Sequence, residues 1–197
     1  SYTAHGILKE IPVEKMKEGD AILTNDVYRG GTHLPDMTLL TPIFIKNRVL
    51  GFAATRVHWS DVGGIAAGSA SVSDEILKEG IRIPPVKIVE EGKFNQTILD
   101  ILMANVRLPL DRIGDLKAQY SGNLRAVKRI KALVERYGLS TISEVFSDVQ
   151  DYSEYLVRES LKQIPDGIYE NEEFLDGDGF DRDAEQNNKR ICVRIDK

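Results

Sequence analysis

Two short stretches of this 197-residue sequence place a histidine three residues before an aspartate, His33-Leu34-Pro35-Asp36 and His58-Trp59-Ser60-Asp61. An imidazole and a carboxylate at that spacing can converge on one cation, and Pro35 stiffens the path between the first pair. The chain has only three histidines, so finding two of them in matching settings points to a shared site. His33, Asp36 and His58 are the candidate metal ligands. Neutral imidazoles with a carboxylate suit zinc, manganese or iron better than calcium or copper, and three protein ligands leave a position for water or substrate. Asp26 and Asp61 are the candidate catalytic carboxylates, able to fix a ligand imidazole through a hydrogen bond or to act as general base. Arg56 and Arg82 are candidates for gripping a substrate carboxylate as a bidentate pair. The same residues also fit plain loop chemistry, with Asp36 bonding backbone amides, His33 merely packed and the arginines in ordinary salt bridges. His5 has no comparable context and is expected to be exposed and inert.

Other polar stretches carry weaker chemistry. The glycine loop Gly63–Ser69 lacks both the Gly-Lys-Ser/Thr ending of a P-loop and the Gly-x-Gly-x-x-Gly of a dinucleotide fold. The acidic run 176–183 puts Phe180 where an EF-hand loop needs a ligand, so it reads as a solvated hairpin tip. Arg125, Lys128, Arg129, Lys131 and Arg136 make one helix face basic, as a solvated face commonly is.

The elements that must position these residues change character along the chain. Residues 1–92 read as a strand-rich metal-site region: an apolar run Ala21–Thr24, then Leu39–Lys46 and Val49–Val57 joined by a two-residue turn at Asn47-Arg48 as a hairpin. A short helix is expected from Ser73 to Gly80, and Pro84-Pro85 excludes a regular central strand over Ile81–Val89. Residues 93–165 read as helical. Asn95 caps a helix with Ile98, Leu99, Leu102 and Val106 on one face, and Pro109 ends or kinks it. A second helix runs from about Leu110 to Tyr137. A third starts at a Ser140 cap, with Ile142, Val145, Phe146, Val149, Tyr152 and Leu156 expected to be buried. Residues 166–197 read as a C-terminal hairpin, Ile168–Leu175 with Lys189–Ile195, opening a further β region. The expected class is α+β: a strand-rich N-terminal half, a helical layer and a C-terminal hairpin. The last residues stop in mid-strand, as a piece of a larger subunit would.

Composition bounds the partners. With 26 Lys and Arg against 31 Asp and Glu, the net charge of −5 argues against nucleic acid or an anionic membrane and favours a small-molecule substrate. The lone Cys192 cannot form an internal disulfide, which suggests a reduced, cytoplasmic setting.

The run Gly19-Asp20-Ala21-Ile22-Leu23-Thr24-Asn25-Asp26, followed by Tyr28-Arg29-Gly30-Gly31-Thr32-His33-Leu34-Pro35-Asp36, resembles the hallmark of the hydantoinase B/oxoprolinase family. Arg56-x-His58-Trp59-x-Asp61-Val62-Gly63-Gly64 is similar to its second motif. Glu79–Lys87, Ala104–Arg107 and Gly114–Gln119 resemble later blocks in the right order. Val27 departs from a common Asn-Asp-Pro run, and Trp59 stands where many members have a second histidine. Family chains are far longer, which implies an internal fragment. The resemblance implies a subunit of an oligomeric complex with an actin-like, ATP-binding hydantoinase A-type partner, acting on hydantoins, imides or 5-oxoproline. It implies that the partner uses ATP to phosphorylate the carbonyl oxygen, while a metal held by His33, Asp36 and His58 activates water or polarises the intermediate. An ATP-dependent ketone carboxylase subunit and a non-catalytic scaffold domain are the alternatives.

Overall fold

Residues 2–69, 72–175 and 189–197 are described by the computed structural model. The acidic hairpin tip expected over residues 176–183 lies outside them. The chain divides into two compact units, residues 1–136 and 137–197.

The first unit is built on a five-stranded antiparallel sheet. Its centre is β1 (Ala21–Thr24), buried at all four positions, as expected from its apolar run. β1 is flanked by β2 (Asp36–Ile45), paired in turn with β3 (Arg48–His58), and on the other side by β4 (Val86–Glu90) and β5 (Lys93–Phe94). The β2–β3 hairpin turns at Lys46-Asn47, one position earlier than the sequence suggested. Both residues have positive φ, 45° and 64°, the pattern of a type I′ turn, which Asn tolerates well. Arg48 is thereby left to pair with Ile45. Pro84-Pro85 does not keep this part of the chain out of the sheet. The strand begins immediately after them, where every residue has an amide to donate, and β4 is an interior strand.

Each face of the sheet is covered by helix. α2 (Gln96–Ala104) is capped by the Asn95 side chain, which accepts from Ile98 N at 3.2 Å. It ends before Val106, and Pro109 opens α3 (Pro109–Tyr137) at the helix position where its missing N–H costs nothing. Leu99, Leu102, Leu116 and Tyr120 from these helices pack with Leu23, Met37, Leu39, Trp59, Val62 and Ile88. The opposite face, with Ile22 and Leu40, is covered by α1 (Tyr2–Glu10) through Ile7, Ala4 and Leu8. That helix was not evident in the sequence, because Gly6 interrupts its pattern. A Cβ at Gly6 would lie 1.8 Å from the Arg29 carbonyl oxygen, so this close approach admits only glycine. The helix expected over Ser73–Gly80 is only a 3-10 turn, Ile76–Lys78.

The second unit holds α4 (Leu139–Lys162) and the antiparallel pair β6 (Ile168–Leu175) and β7 (Lys189–Asp196). α4 starts after Gly138 (φ 87°) with no side-chain cap, so Ser140 lies inside the helix. Ile142 is buried as expected, whereas Val145, Phe146, Val149, Tyr152 and Leu156 are exposed. An amphipathic stripe shows that a helix has an apolar side, and among the described residues that side is uncovered. No helix among the described residues is long and apolar enough to cross a membrane.

Candidate functional site

The open end of the β2–β3 hairpin brings three chemistry-bearing side chains together. Near the turn, Ile45 pairs with Arg48 and Phe44 with Val49. A bulge between Ile43 and Phe44 then shifts the register, so that Ile43 faces Gly51 and, at the far end, Asp36 faces His58. Without that extra residue Val57 would oppose Asp36, and the His58 side chain would project from the other face of the sheet.

His33 is delivered by a tight turn: Asp36 N donates to the His33 carbonyl at 3.0 Å. The Pro35 carbonyl between them accepts from both Met37 N (2.9 Å) and Trp59 N (2.8 Å), which ties the turn to the residue after His58. His33 Nδ1 lies 2.9 Å from Asp36 Oδ2 and His58 Nδ1 3.3 Å from Asp36 Oδ1, with the two rings 4.9 Å apart between centroids. One ligand atom from each of His33, Asp36 and His58 falls within 4.8 Å of the others. Asp36 is mostly buried, while each imidazole is about half exposed, 52% and 53%.

Charge at this point is arranged for an ionised Asp36. Burial pushes its carboxyl up, but the Thr32 hydroxyl donating to Oδ2, the His58 ring, His33 and Arg56 outweigh it and hold it below the ordinary aspartate value. Arg56 is opposite Thr38 on the same hairpin face as Asp36 and His58. Its Nε donates to Thr38 Oγ1 at 3.1 Å and its Nη2 to the buried Thr3 hydroxyl of α1, which donates on to the Gly30 carbonyl at 2.5 Å.

The other expected site residues are not among the ligand atoms that converge. Asp26 is buried and caps the turn Val27–Arg29, accepting from Tyr28 N at 3.0 Å. Its Oδ2 meets Arg29 Nε at 3.3 Å and Arg82 Nε at 3.8 Å. The Arg82 guanidinium also lies over the exposed Tyr28 ring, 5.4 Å from its centroid. Asp61 is buried too. Oδ1 accepts from Gly63 N (3.1 Å) and Arg107 Nη1 (2.8 Å), and Oδ2 from Arg107 N. Burial pushes the Asp61 carboxyl up, and these donors more than reverse that, leaving it below the usual range. His5 is exposed on α1, beside Lys9 and Arg29 along a shallow groove.

Three contributors were missed by sequence reasoning. Thr32 holds Asp36. Arg107 brackets the glycine loop, reaching the Gly63 and Gly64 carbonyls at 3.3 and 2.8 Å as well as Asp61. Asn25, buried, bonds with its side chain to the backbone of Leu34, Ile81 and Ile83. All three lie inside the motifs that carry the family resemblance, which was the available signal, but their partners are distant in sequence. A groove of about 350 Å³ runs past His33, walled by Tyr28, Val27, Ile76, Glu75 and Glu79.

The donor set fits a divalent transition ion. Two imidazoles and an ionised carboxylate on one side, with both rings half open to solvent, would offer an ion three protein ligands and leave room for a further one, a donor set of the kind zinc, manganese or iron accepts.

Comparison with known proteins gives a consistent picture. A family model described as Hydantoinase B/oxoprolinase matches residues 1–197. The B-type component of a putative D-/L-hydantoinase from Pseudomonas sp. (strain NS671) is 33% identical over 184 residues, covering 92% of this chain and 31% of that protein. The crystal structure of an ATP-dependent caprolactamase from Pseudomonas jessenii matches with a TM-score of 0.81 and 27% identity, over 89% of this chain and 31% of that one. A nucleotide-free acetone carboxylase structure, with a TM-score of 0.80 over 88% of this chain and 23% of that one, is 18% identical and shares the fold alone. The chain spans less than a third of the length of the curated relatives it matches.

Proposed function

Because this chain belongs to the hydantoinase B/oxoprolinase family, we propose that it forms the metal-site part of a subunit of an ATP-dependent cyclic amide hydrolase. Its partner is an ATP-binding hydantoinase A-type subunit, and its substrate is a small cyclic amide such as a hydantoin, an imide or 5-oxoproline. The relatives support this reading: a hydantoin and a caprolactam are both rings closed by an amide C–N bond. The observation that carries it is the convergence of His33, Asp36 and His58 ligand atoms within 4.8 Å.

In this reading the partner transfers the γ-phosphoryl group of ATP to the ring carbonyl oxygen. Water then adds at that carbon and the C–N bond breaks as the nitrogen takes a proton, which leaves an acyl phosphate; a second water releases phosphate and the ring-opened acid, so that one ATP and two waters are consumed per ring. His33, Asp36 and His58 would hold the divalent ion. When bound, such an ion supplies Lewis acidity and lowers the pKa of water. Asp36, held ionised, also orients both imidazoles through Nδ1. Arg56 is the better placed of the two candidate anion contacts, because it shares the hairpin face of Asp36 and His58 and is fixed by Thr38 and Thr3. Arg82 is held instead against Asp26 and the Tyr28 ring. Asp61, bonded by two backbone amides and Arg107, and Asp26, which caps one amide beside Arg29 and Arg82, serve to anchor the loops rather than to move protons.

The test uses the full-length subunit with its ATP-binding partner. Bound divalent metal, with ADP release and ring opening stimulated by a hydantoin, a lactam or 5-oxoproline, is the expected result. ADP release stimulated only by a ketone with bicarbonate would replace the hydrolase with a carboxylase. A metal-free, inactive complex would leave a scaffold domain.

A further inference from the structure

The turn that carries two of the three candidate ligands is held from below by one buried amide. Asn25 follows β1 and is 1% exposed. Its Nδ2 donates to the Leu34 carbonyl and to the Ile81 carbonyl, both at 2.8 Å, and its Oδ1 accepts from Ile83 N at 2.7 Å. Both amide donors and the acceptor are therefore used. Leu34 lies between His33 and Asp36, and the next carbonyl, of Pro35, is gripped by Trp59 N one residue after His58. Each carbonyl between the two ligands of the turn thus has a fixed partner, and one of these partners is a side chain. The segment that Asn25 grips on its other side, Ile81–Ile83, carries Arg82.

We infer that Asn25 is a positioning residue for the metal centre: its side-chain amide sets the height of the His33–Asp36 turn against the end of β3, and fixes Arg82 in register with that turn. This rests on the metal reading above. Three short bonds to the backbone are a rigid link, since the amide must keep one orientation to satisfy all three. Asn25→Ala would leave two carbonyls and one amide without partners in a site that excludes water, and the turn would move to satisfy them. His33 and Asp36 would then lose their spacing to His58, although none of the three ligands had been changed.

The experiment measures zinc and manganese affinity of the full-length subunit by competition with a chromophoric chelator, for the parent, Asn25→Ala and Asn25→Ser. Serine keeps a hydroxyl that is too short to span both carbonyls, so it offers a milder form of the same loss. Met16→Ala, a core truncation in the separate cluster with Ile7, Ile22 and Leu40 on the opposite face of the sheet, controls for lost stability. Asn25→Ala is expected to bind metal about tenfold more weakly, the scale on which supporting partners of ligands act, while Met16→Ala keeps the parent affinity. Unchanged affinity in the Asn25 variants, or an equal loss in Met16→Ala, overturns the proposal. A crystal structure of the metal-free Asn25 variant separates this from the metal reading itself. If the parent binds no metal, a His33–His58 ring separation still close to 4.9 Å in the variant overturns the positioning role, and a displaced His33 turn upholds it.

Discussion

Asp36 and Asp61 each stand three residues after a histidine, and they end in opposite kinds of surroundings. Asp36 is held by side chains: Thr32, His33 and His58, the last two half exposed. Asp61 is held by two backbone amides and a guanidinium that also ties down the Gly63 and Gly64 carbonyls. A carboxylate among exposed imidazoles can exchange partners for an ion or substrate. One saturated by backbone N–H groups can do so only by giving up the loop it organises. The same spacing therefore yields a candidate ligand at the hairpin end and a loop-bound carboxylate one segment later.

Variants that separate ligand from anchor give the largest effects. His58→Ala should weaken divalent metal binding by about a hundredfold or more, with little change in unfolding free energy, because the ring is half exposed. Asp61→Ala should do the reverse. Losing a buried carboxylate that satisfies two amides and Arg107 should cost about 2–3 kcal/mol in chemical denaturation, towards the lower end because Arg107 is itself half exposed, with metal affinity of the folded protein unchanged. Equal effects of the two variants on both readouts would erase the contrast.

Acid should expose the anchor next. The Asp61 carboxyl is held below its ordinary value of 3.8 in the folded protein, so its contribution is fully present above that pH and is lost as pH falls through the lower folded value. Denaturation midpoints followed from about pH 6 to about pH 2 should therefore drop more steeply in the parent than in Asp61→Asn. Parallel curves would show that Asp61 carries no such linkage. The smallest effect is expected at Thr32. Thr32→Val removes one hydroxyl from Asp36 and should weaken metal binding by about threefold, in line with the loss of one partly exposed hydrogen bond.

Much of this frame was legible. The apolar run Ala21–Thr24, the hairpin, the Asn95 cap and the long α3 follow from period, cap and turn chemistry. The two histidine motifs lay where the polar chemistry was densest. The meeting of His33, Asp36 and His58 was expected from their matching motifs on either side of one hairpin, but the register that sets Asp36 directly opposite His58 was not legible, because it depends on a turn one residue earlier than expected and on a bulge that adds one residue to β3. With the turn at Asn47-Arg48 and no bulge, Trp59 would have faced Asp36. Nor could the separate fates of Asp36 and Asp61 be read, since Arg107 is 46 residues from Asp61. α1 was hidden by Gly6, whose reason is the Arg29 carbonyl pressed against it.

The most direct test of the ligand and anchor contrast is anomalous diffraction from crystals of the full-length subunit loaded with zinc. One ion is expected, bonded to nitrogen of His33 and His58 at about 2.0–2.1 Å and to a carboxylate oxygen of Asp36, with Asp61 still bonded to Arg107. An ion bound to Asp61, or none between His33, Asp36 and His58 at full zinc loading, would contradict it.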